Sequence, residues 1–284
     1  MRPVDAFSPP PDGEDPVLAE LAAAALDAAT AAASHAAAAA GRRRLAVDTK
    51  TSATDMVSEV DREAEGLIAS ILRERRPADG LLAEEGASRT GTSGIRWVVD
   101  PLDGTTNYLF GVPAWSVSVA AERDGRPVVG VVVDAARSET WAAVEGRPAR
   151  CNGEPCRVAE GRSQLATALV GTGFGYDPGR RAWQAEVLRS VLPAVRDIRR
   201  FGSAALDLCW VAGGRLDAYF EWGLNPWDLS AGLLVCQQAG GIVAIVGERL
   251  VVAGTPSLHA PLVGLLEAAG ASRPPAGGRE PRHW

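Results

Sequence analysis

The sequence predicts a layered protein that mixes helix and sheet in two halves: helices over an antiparallel sheet first, then a mixed α/β unit. Three observations carry that reading. Apolar residues recur at three- and four-residue spacing near the start, at period two through the middle, and in short strand-like runs alternating with helical ones beyond residue 168. With 284 residues and 46% hydrophobic content, the chain can bury a sizeable core and suits one large domain or two closely packed ones.

Residues 1–15, rich in Pro and Asp, read as a disordered leader. Pro16 suits a first helical turn, and the Ala- and Leu-dominated stretch to Ala40 is expected as a helix that Gly41 ends. Lys50 to Asp55 is polar and reads as a loop or strand entry. Val60, Ala64, Leu67, Ile68, Ile71 and Leu72 then share one face of a helix running to about Arg76, with Asp61 in its first turn. Leu81 to Ala83 reads as a short strand ending in the acidic loop Glu84-Glu85-Gly86, and the Gly/Ser/Thr-rich residues 88–94 as a mobile loop. Residues 115–121 and 128–133 flank an Asp124-Gly125 turn as a hairpin, and 139–144 supplies another strand.

The Gly- and Pro-rich residues 146–155 mark a boundary between a first unit, 16–146, and a second, 147–270. In the second, strands are expected at 168–171, 198–201, 216–221, 241–245 and 251–253. Helices are expected at 181–195, 203–212, 227–239 and from about Ser257, with a disordered tail over 271–284.

Composition excludes several function classes. A net charge of -6 does not supply the clustered cations that nucleic-acid recognition needs, and Arg42-Arg43-Arg44 sits where cations suit a helix C-terminus. Four cysteines lacking zinc-site spacing read as reduced thiols of a cytoplasmic protein. No signal peptide opens the chain, and Glu20, Asp27 and His35 make the Ala-rich helix read as too polar to cross a membrane.

The chemistry concentrates in Trp97-Val98-Val99-Asp100-Pro101-Leu102-Asp103-Gly104-Thr105-Thr106-Asn107. An apolar β-forming run meets Pro101, which cannot continue a ladder, and Gly104, which tolerates conformations other residues avoid. Asp100 and Asp103 therefore leave the strand end close together. Two neighbouring carboxylates require a proton, a cationic side chain or a metal ion to share, and the motif holds no Lys or Arg. Glu84/Glu85 and Asp228 sit at comparable junctions. An all-oxygen cage selects Mg²⁺, Mn²⁺ or Ca²⁺, and Mg²⁺ fits best because a substrate phosphate and waters complete its shell. His35, His259 and His283 all lie outside these motifs, which argues against His-based nucleophilic catalysis or a His-rich zinc site. Gly104-Thr105-Thr106 would set backbone N–H groups at a helix start, where phosphate oxygens bind. A lone Asp103 would be read as a helix cap; paired with Asp100 and followed by Gly-Thr-Thr, it reads as a ligand.

Asp100-Pro101-Leu102-Asp103-Gly104-Thr105-Thr106-Asn107, Ala83-Glu84-Glu85-Gly86 and Trp227-Asp228-Leu229-Ser230-Ala231-Gly232 resemble the three signature motifs of the inositol monophosphatase family, in order, within residues 45–265. The resemblance implies a sugar-phosphatase-type α-β-α-β-α sandwich and a lithium-sensitive phosphomonoesterase using two or three Mg²⁺, commonly a homodimer. It implies metal ligation by Glu84, Asp100, the Leu102 carbonyl, Asp103 and Asp228, with Asp100 bridging two ions. Thr105 with Glu84 would orient the attacking water, backed by Asp61. Asp103, Gly104, Thr105, Ser203, Ala204, Glu221 and Asp228 would line the substrate site, with Glu221 on the inositol hydroxyls. Glu85 would sit behind the ligands. Lys50 matches a lysine at the site's mouth and reads equally as a solvated loop residue. Ala83 replaces the usual Gly, Ser58 replaces a common Thr, and the segment after Gly241 is short.

The expected reaction is hydrolysis of a small phosphorylated substrate, myo-inositol monophosphate, with neither nucleic acid nor membrane as partner. Histidinol-phosphate, fructose-1,6-bisphosphate, NADP and 3'-phosphoadenosine 5'-phosphate phosphatases share the metal motifs and stay open as alternatives. So do a catalytically silent binding protein on the same fold and a Ca²⁺-binding structural module.

Overall fold

A computed structural model describes residues 6–7, 15–40, 47–49 and 56–273. Lys50 and its polar loop, most of the expected leader and the tail beyond Arg273 lie outside the described residues. Of the leader, Ala6 is buried and Phe7 packs on the core. Of the tail, Ala271 is buried.

The first half opens with α1 (Pro16–Ala40), the short antiparallel pair β1 (Val47–Thr49) and β2 (Met56–Ser58), and α2 (Glu59–Arg75). Then come β3 (Gly80–Ala83), β4 (Ser88–Arg89), β5 (Ile95–Asp103), the one-and-a-half-turn α3 (Thr105–Phe110), β6 (Ser116–Arg123), β7 (Arg126–Asp134), β8 (Glu139–Val144), β9 (Arg150–Cys151) and β10 (Glu154–Pro155). They form one eight-stranded sheet in the order β10-β9-β8-β7-β6-β5-β3-β4. The hairpin between β6 and β7 turns on Asp124 and Gly125, both at positive φ (54° and 75°), the pairing that a tight two-residue turn demands.

The second half contributes β11 (Leu169–Thr172), α4 (Pro178–Val191), β12 (Asp197–Arg199), α5 (Ala204–Ala212), β13 (Ala218–Trp222), α6 (Pro226–Gln238), β14 (Ile242–Val246), β15 (Leu250–Gly254) and α7 (His259–Ala268). Its sheet runs β12-β11-β13-β15-β14. β11 is parallel to both β12 and β13, whereas β15 is antiparallel to β13 and β14.

Strand alternation builds the layers. On β5, Trp97 and Val99 join α1 and α2 in one cluster, while Val98 faces the other way into a cluster with α5 and α6. That second cluster also takes Tyr219, Val251 and Ala253 from the smaller sheet. Ala218, Phe220 and Trp222 alternate outward to meet α4 and α7. The order is therefore α1/α2, large sheet, α5/α6, small sheet, α4/α7: five layers, as the resemblance implies.

Several local expectations change. The first sheet is mixed, because β3 runs parallel to β5, the chain returning between them through the antiparallel β4, so the acidic loop after β3 reaches the same sheet end as Asp100. Residues 88–94 are pinned: β4 pairs with β3, and Ser93 Oγ donates to Asp79 Oδ1 at 2.7 Å. The boundary stretch 146–155 holds the β9–β10 pair. α4 begins three residues early because Asp177 caps it, accepting from Arg180 N–H, with Pro178 at its first position. It gives way at Leu192 to a 3₁₀ turn containing Pro193.

By length and composition alone α1 could cross a membrane, so the sequence reading from its three polar residues does not stand. In this structure Leu21, Ala25, Ala28, Ala29 and Ala32 bury that apolar surface against the sheet. The small side chains let the helix lie close to the valines of β6 and β7. Cys151, Cys156, Cys209 and Cys236 are free thiols.

Candidate active site

Each acidic residue owes its place to an element end. Asp100 lies one alternation beyond Val98, on the face turned toward the inner helix layer. Past it the ladder with β6 slips: Asp100 pairs with Ser118 and Asp103 with Ser116, three residues against two. This bulge accommodates Pro101, which has no N–H to pair, and re-aims Asp103. Leu102 N–H returns to Asp100 Oδ1 at 2.9 Å and fixes the turn.

Asp103 is anchored across the molecule. Its Oδ2 accepts from Ser203 Oγ at 2.6 Å and from the Ala205 N–H at 2.8 Å, at the start of α5. Gly104 then takes φ 94°, and a Cβ there would stand 2.9 Å from the Ala114 carbonyl oxygen, so only glycine fits. It starts α3 with no side chain capping the first N–H groups. Thr105 Oγ1 lies 3.1 Å from Asp61 Oδ2 and 3.0 Å from the Leu102 carbonyl oxygen. Its single proton can be donated to one of them at a time.

Glu84 sits in the turn after β3, its N–H donating to the Val99 carbonyl. That turn is held by Glu65 of α2, whose carboxylate accepts from the Glu85 N–H at 2.7 Å and the Ala87 N–H at 2.8 Å. Glu85 thus contributes a backbone contact behind the site. Asp228 is the third residue of α6, and its Oδ2 accepts from the Asn225 N–H at 2.7 Å. Ser118 Oγ donates to the Trp227 carbonyl and Ser230 Oγ to Glu122 Oε1, tying α6 to the large sheet.

These placements gather charge of one sign. Burial pushes the Asp100 carboxyl well above its usual range, and the charges of Glu84, Asp103, Asp228 and Asp61 add to the push. Burial likewise raises Asp228, reinforced by Glu84 and Asp103. Asp103 rises to about 6 through burial, opposed by the donors at Ser203, Ala205 and Ala204 and by Arg200. Among the described residues no Lys or Arg forms an ion pair with Asp100, Asp103 or Asp228, nor are any three His, Cys, Asp or Glu side chains already drawn into a closed metal cage. A divalent cation is the partner this donor set fits: hard oxygen ligands whose charges are mutually destabilising, with Arg200 near Asp103 but not ion-paired to it among the described residues.

The side of the site away from β3 is built on the small sheet and the start of α5. Glu221 projects from β13, its Oε2 accepting from Tyr219 OH at 2.6 Å. Burial raises its carboxyl to about 7 against the pull of the Tyr219 donor and Arg200. Ser203 is buried and turned toward Asp103, and Ala204 opens α5 beside it. Lys50 lies outside the described residues.

Four residues here carry no sequence signal of their own kind. Arg200 is the cation whose field reaches Asp103, Asp207 and Glu221. Asn107 Nδ2 donates at 2.6 Å to both the Ala114 and Phe201 carbonyls, stitching α3 to the loop before α5. Glu65 and Tyr219 serve as above. Asn107 closes the Asp-Gly-Thr-Thr motif, and that adjacency could have flagged it.

The sequence profile of the inositol monophosphatase family matches residues 17–272. An inositol-1-monophosphatase SuhB of Mycobacterium tuberculosis is 42% identical over 236 residues, 78% of this chain and 81% of its own length. A Nus factor SuhB of Pasteurella multocida is 42% identical over 197 residues, 69% of this chain and 73% of its own. The solved structure of the extragenic suppressor protein suhB from Bartonella henselae superposes with a TM-score of 0.82 at 36% identity, covering 89% of this chain and 99% of that one.

Proposed function

The chain belongs to the inositol monophosphatase family, and we propose that it is a Mg²⁺-dependent phosphatase releasing inorganic phosphate from myo-inositol monophosphate. One observation supports the mechanism: carboxylates from three separate elements, Glu84, Asp100/Asp103 and Asp228, lie close enough for their charges to push one another's pKa upward. Glu84, Asp100 and the Leu102 carbonyl would hold one ion, and Asp100, Asp103 and Asp228 a second, with a third completed by substrate. When bound, Mg²⁺ neutralises phosphate oxygens and lowers the pKa of water toward neutrality.

The chain's own groups do the rest. Thr105 donates its proton to Asp61 Oδ2, which leaves the hydroxyl oxygen free to accept from an attacking water that Glu84 also contacts. Gly104 and Thr105 offer uncapped backbone N–H groups to the phosphate. Glu221 receives the hydroxyls of the leaving group, with Ser203 and Ala204 beside it. Lys50 would stand at the mouth. Lithium sensitivity and a homodimeric state complete the reading and rest on family membership; a cytoplasmic location rests on the few free thiols.

The test is phosphate release from inositol 1-phosphate, histidinol phosphate, fructose-1,6-bisphosphate, NADP and 3'-phosphoadenosine 5'-phosphate, with Mg²⁺ and with Li⁺ added. Asp100→Asn keeps shape and removes charge, and should lower kcat/KM by at least about a hundredfold. Undiminished turnover in that variant overturns the metal mechanism. A preference of about tenfold or more for histidinol phosphate, about 1.4 kcal/mol of transition-state binding, would move the substrate assignment.

A further inference from the structure

Glu221 is held from two sides by features the hydrolytic step does not use. β11 and β13 run parallel with Gly171 beside Tyr219 and Thr172 beside Phe220; one step further sets Gly173 beside Glu221. Two glycines therefore alternate along β11 opposite Tyr219 and Glu221, which alternate along β13 on one face of the sheet. Neither position takes a Cβ unless a neighbouring side chain shifts. A Cβ on Gly173 would come within 1.8 Å of Glu221 Oε2 and 2.4 Å of Oε1, and one on Gly171 within 2.8 Å of Leu216 Cδ1 and 3.2 Å of both Asp207 Oδ1 and the Tyr219 ring.

Above this floor, Tyr219 is fully buried in the cluster between the sheets, and its hydroxyl meets Glu221 Oε2 at 2.6 Å. A buried tyrosine hydroxyl finds a partner, and a bond to a carboxylate is of the strong, orienting kind. The ring is clamped, so the donor's position is fixed. Glu221 has three rotatable bonds; the glycine floor lets it lie flat and the fixed hydroxyl stops it there.

We propose that Tyr219 is a positioning residue that sets leaving-group preference: with the Gly171/Gly173 floor it holds Glu221 in the one orientation whose remaining oxygen accepts from a polyol. The inference rests on the reading of Glu221 as the leaving-group contact. Tyr219 touches neither phosphate nor metal ligands, so its influence is confined to leaving-group binding.

The experiment compares wild type, Tyr219→Phe, Gly173→Ala and Glu221→Ala at saturating Mg²⁺. It reads KM and kcat for inositol 1-phosphate and the inhibition constant of inorganic phosphate, which has no leaving group. Tyr219→Phe should raise KM about tenfold, with kcat and phosphate inhibition changed less than about threefold. Gly173→Ala should give the same split with the tyrosine in place, since its methyl displaces Glu221. Melting temperature, read in parallel, identifies a variant that is merely unfolded, and the other variant then decides. If KM in Tyr219→Phe stays at the wild-type value, or phosphate inhibition weakens as much as KM, the positioning role is overturned. Glu221→Ala separates the premises: if it too leaves KM unchanged, the assignment of Glu221 to the leaving group has failed, whereas a raised KM there with a silent Tyr219→Phe sinks the positioning role alone.

Discussion

At the scale of single residues, the site depends on side chains that orient other side chains. Asp103 stands far from α5 in sequence, yet Ser203 and the Ala205 N–H hold one of its oxygens, so the other is the one the proposed cation would take. Groups of this kind commonly tune metal affinity by about ten- to a hundredfold. Ser203→Ala should therefore raise the Mg²⁺ concentration for half-maximal activity by about tenfold, read by titrating Mg²⁺ at fixed substrate. An unchanged midpoint would show that the backbone N–H suffices. The variant also removes the α5 cap, whose hydroxyl accepts from the Leu206 N–H, at about 1 kcal/mol of stability. Thr105→Val should abolish most turnover while leaving Mg²⁺ binding close to wild type, because the Asp61 contact is lost and the carboxylates are not; comparing calorimetric Mg²⁺ binding with activity distinguishes the two. Asp100 and Asp103 were legible as candidate ligands because one strand end presents both. Tyr219, Glu65 and Arg200 were not, since each acts on a residue whose neighbourhood only folding creates.

At the scale of elements, the position of α6 decides where Asp228 lies. Gly130 on β7 permits its approach: a Cβ there would meet the Ala231 carbonyl oxygen at 2.8 Å and its Cα at 3.0 Å. The clash is with backbone, so the helix must move. Gly130→Ala should cost about 1–3 kcal/mol, seen as a lower melting temperature, and should weaken Mg²⁺ activation because α6 carries Asp228 away from the strand end. A variant of wild-type stability and Mg²⁺ response would refute this coupling. The turn after β3 has a comparable support in Glu65. Periodicity located α2, α6 and most strands, because burial of one face leaves a repeating mark. It did not give the parallel pairing of β3 and β5, since a strand's sequence carries no sign of its neighbour's direction, nor the hairpin at 150–155, whose four residues are too few to show a period.

At the scale of the whole molecule, the five layers bury carboxylates that the fold alone leaves strained. Glu221 titrates near about 7 and Asp103 near about 6, both above their ordinary values, so the folded state binds more protons than the unfolded one between about pH 4 and 7. Their contribution to stability is full below the unfolded pKa and is lost as pH rises through the folded value. In chelator, melting temperature should therefore gain less from raising the pH than an unperturbed protein would, and the increment on adding Mg²⁺ should grow from pH 5 to pH 8. Scanning calorimetry in EDTA and in Mg²⁺ checks this, and an increment that shrinks with rising pH would exclude a carboxylate site for the cation. What the sequence by itself determined was the set of chemical groups, their motif order and the elements that bear them, because local propensity and period are properties of contiguous residues. Only the tertiary structure decided that the end of β5 and the starts of α5 and α6 meet at one place, that Ser203 serves Asp103, and that Gly171 in β11 and Gly173 just beyond it leave room for Tyr219 and Glu221. Ser203 and Asp103 stand 100 residues apart and Ser118 and Trp227 109, and what fixes such contacts is the packing of one layer on the next.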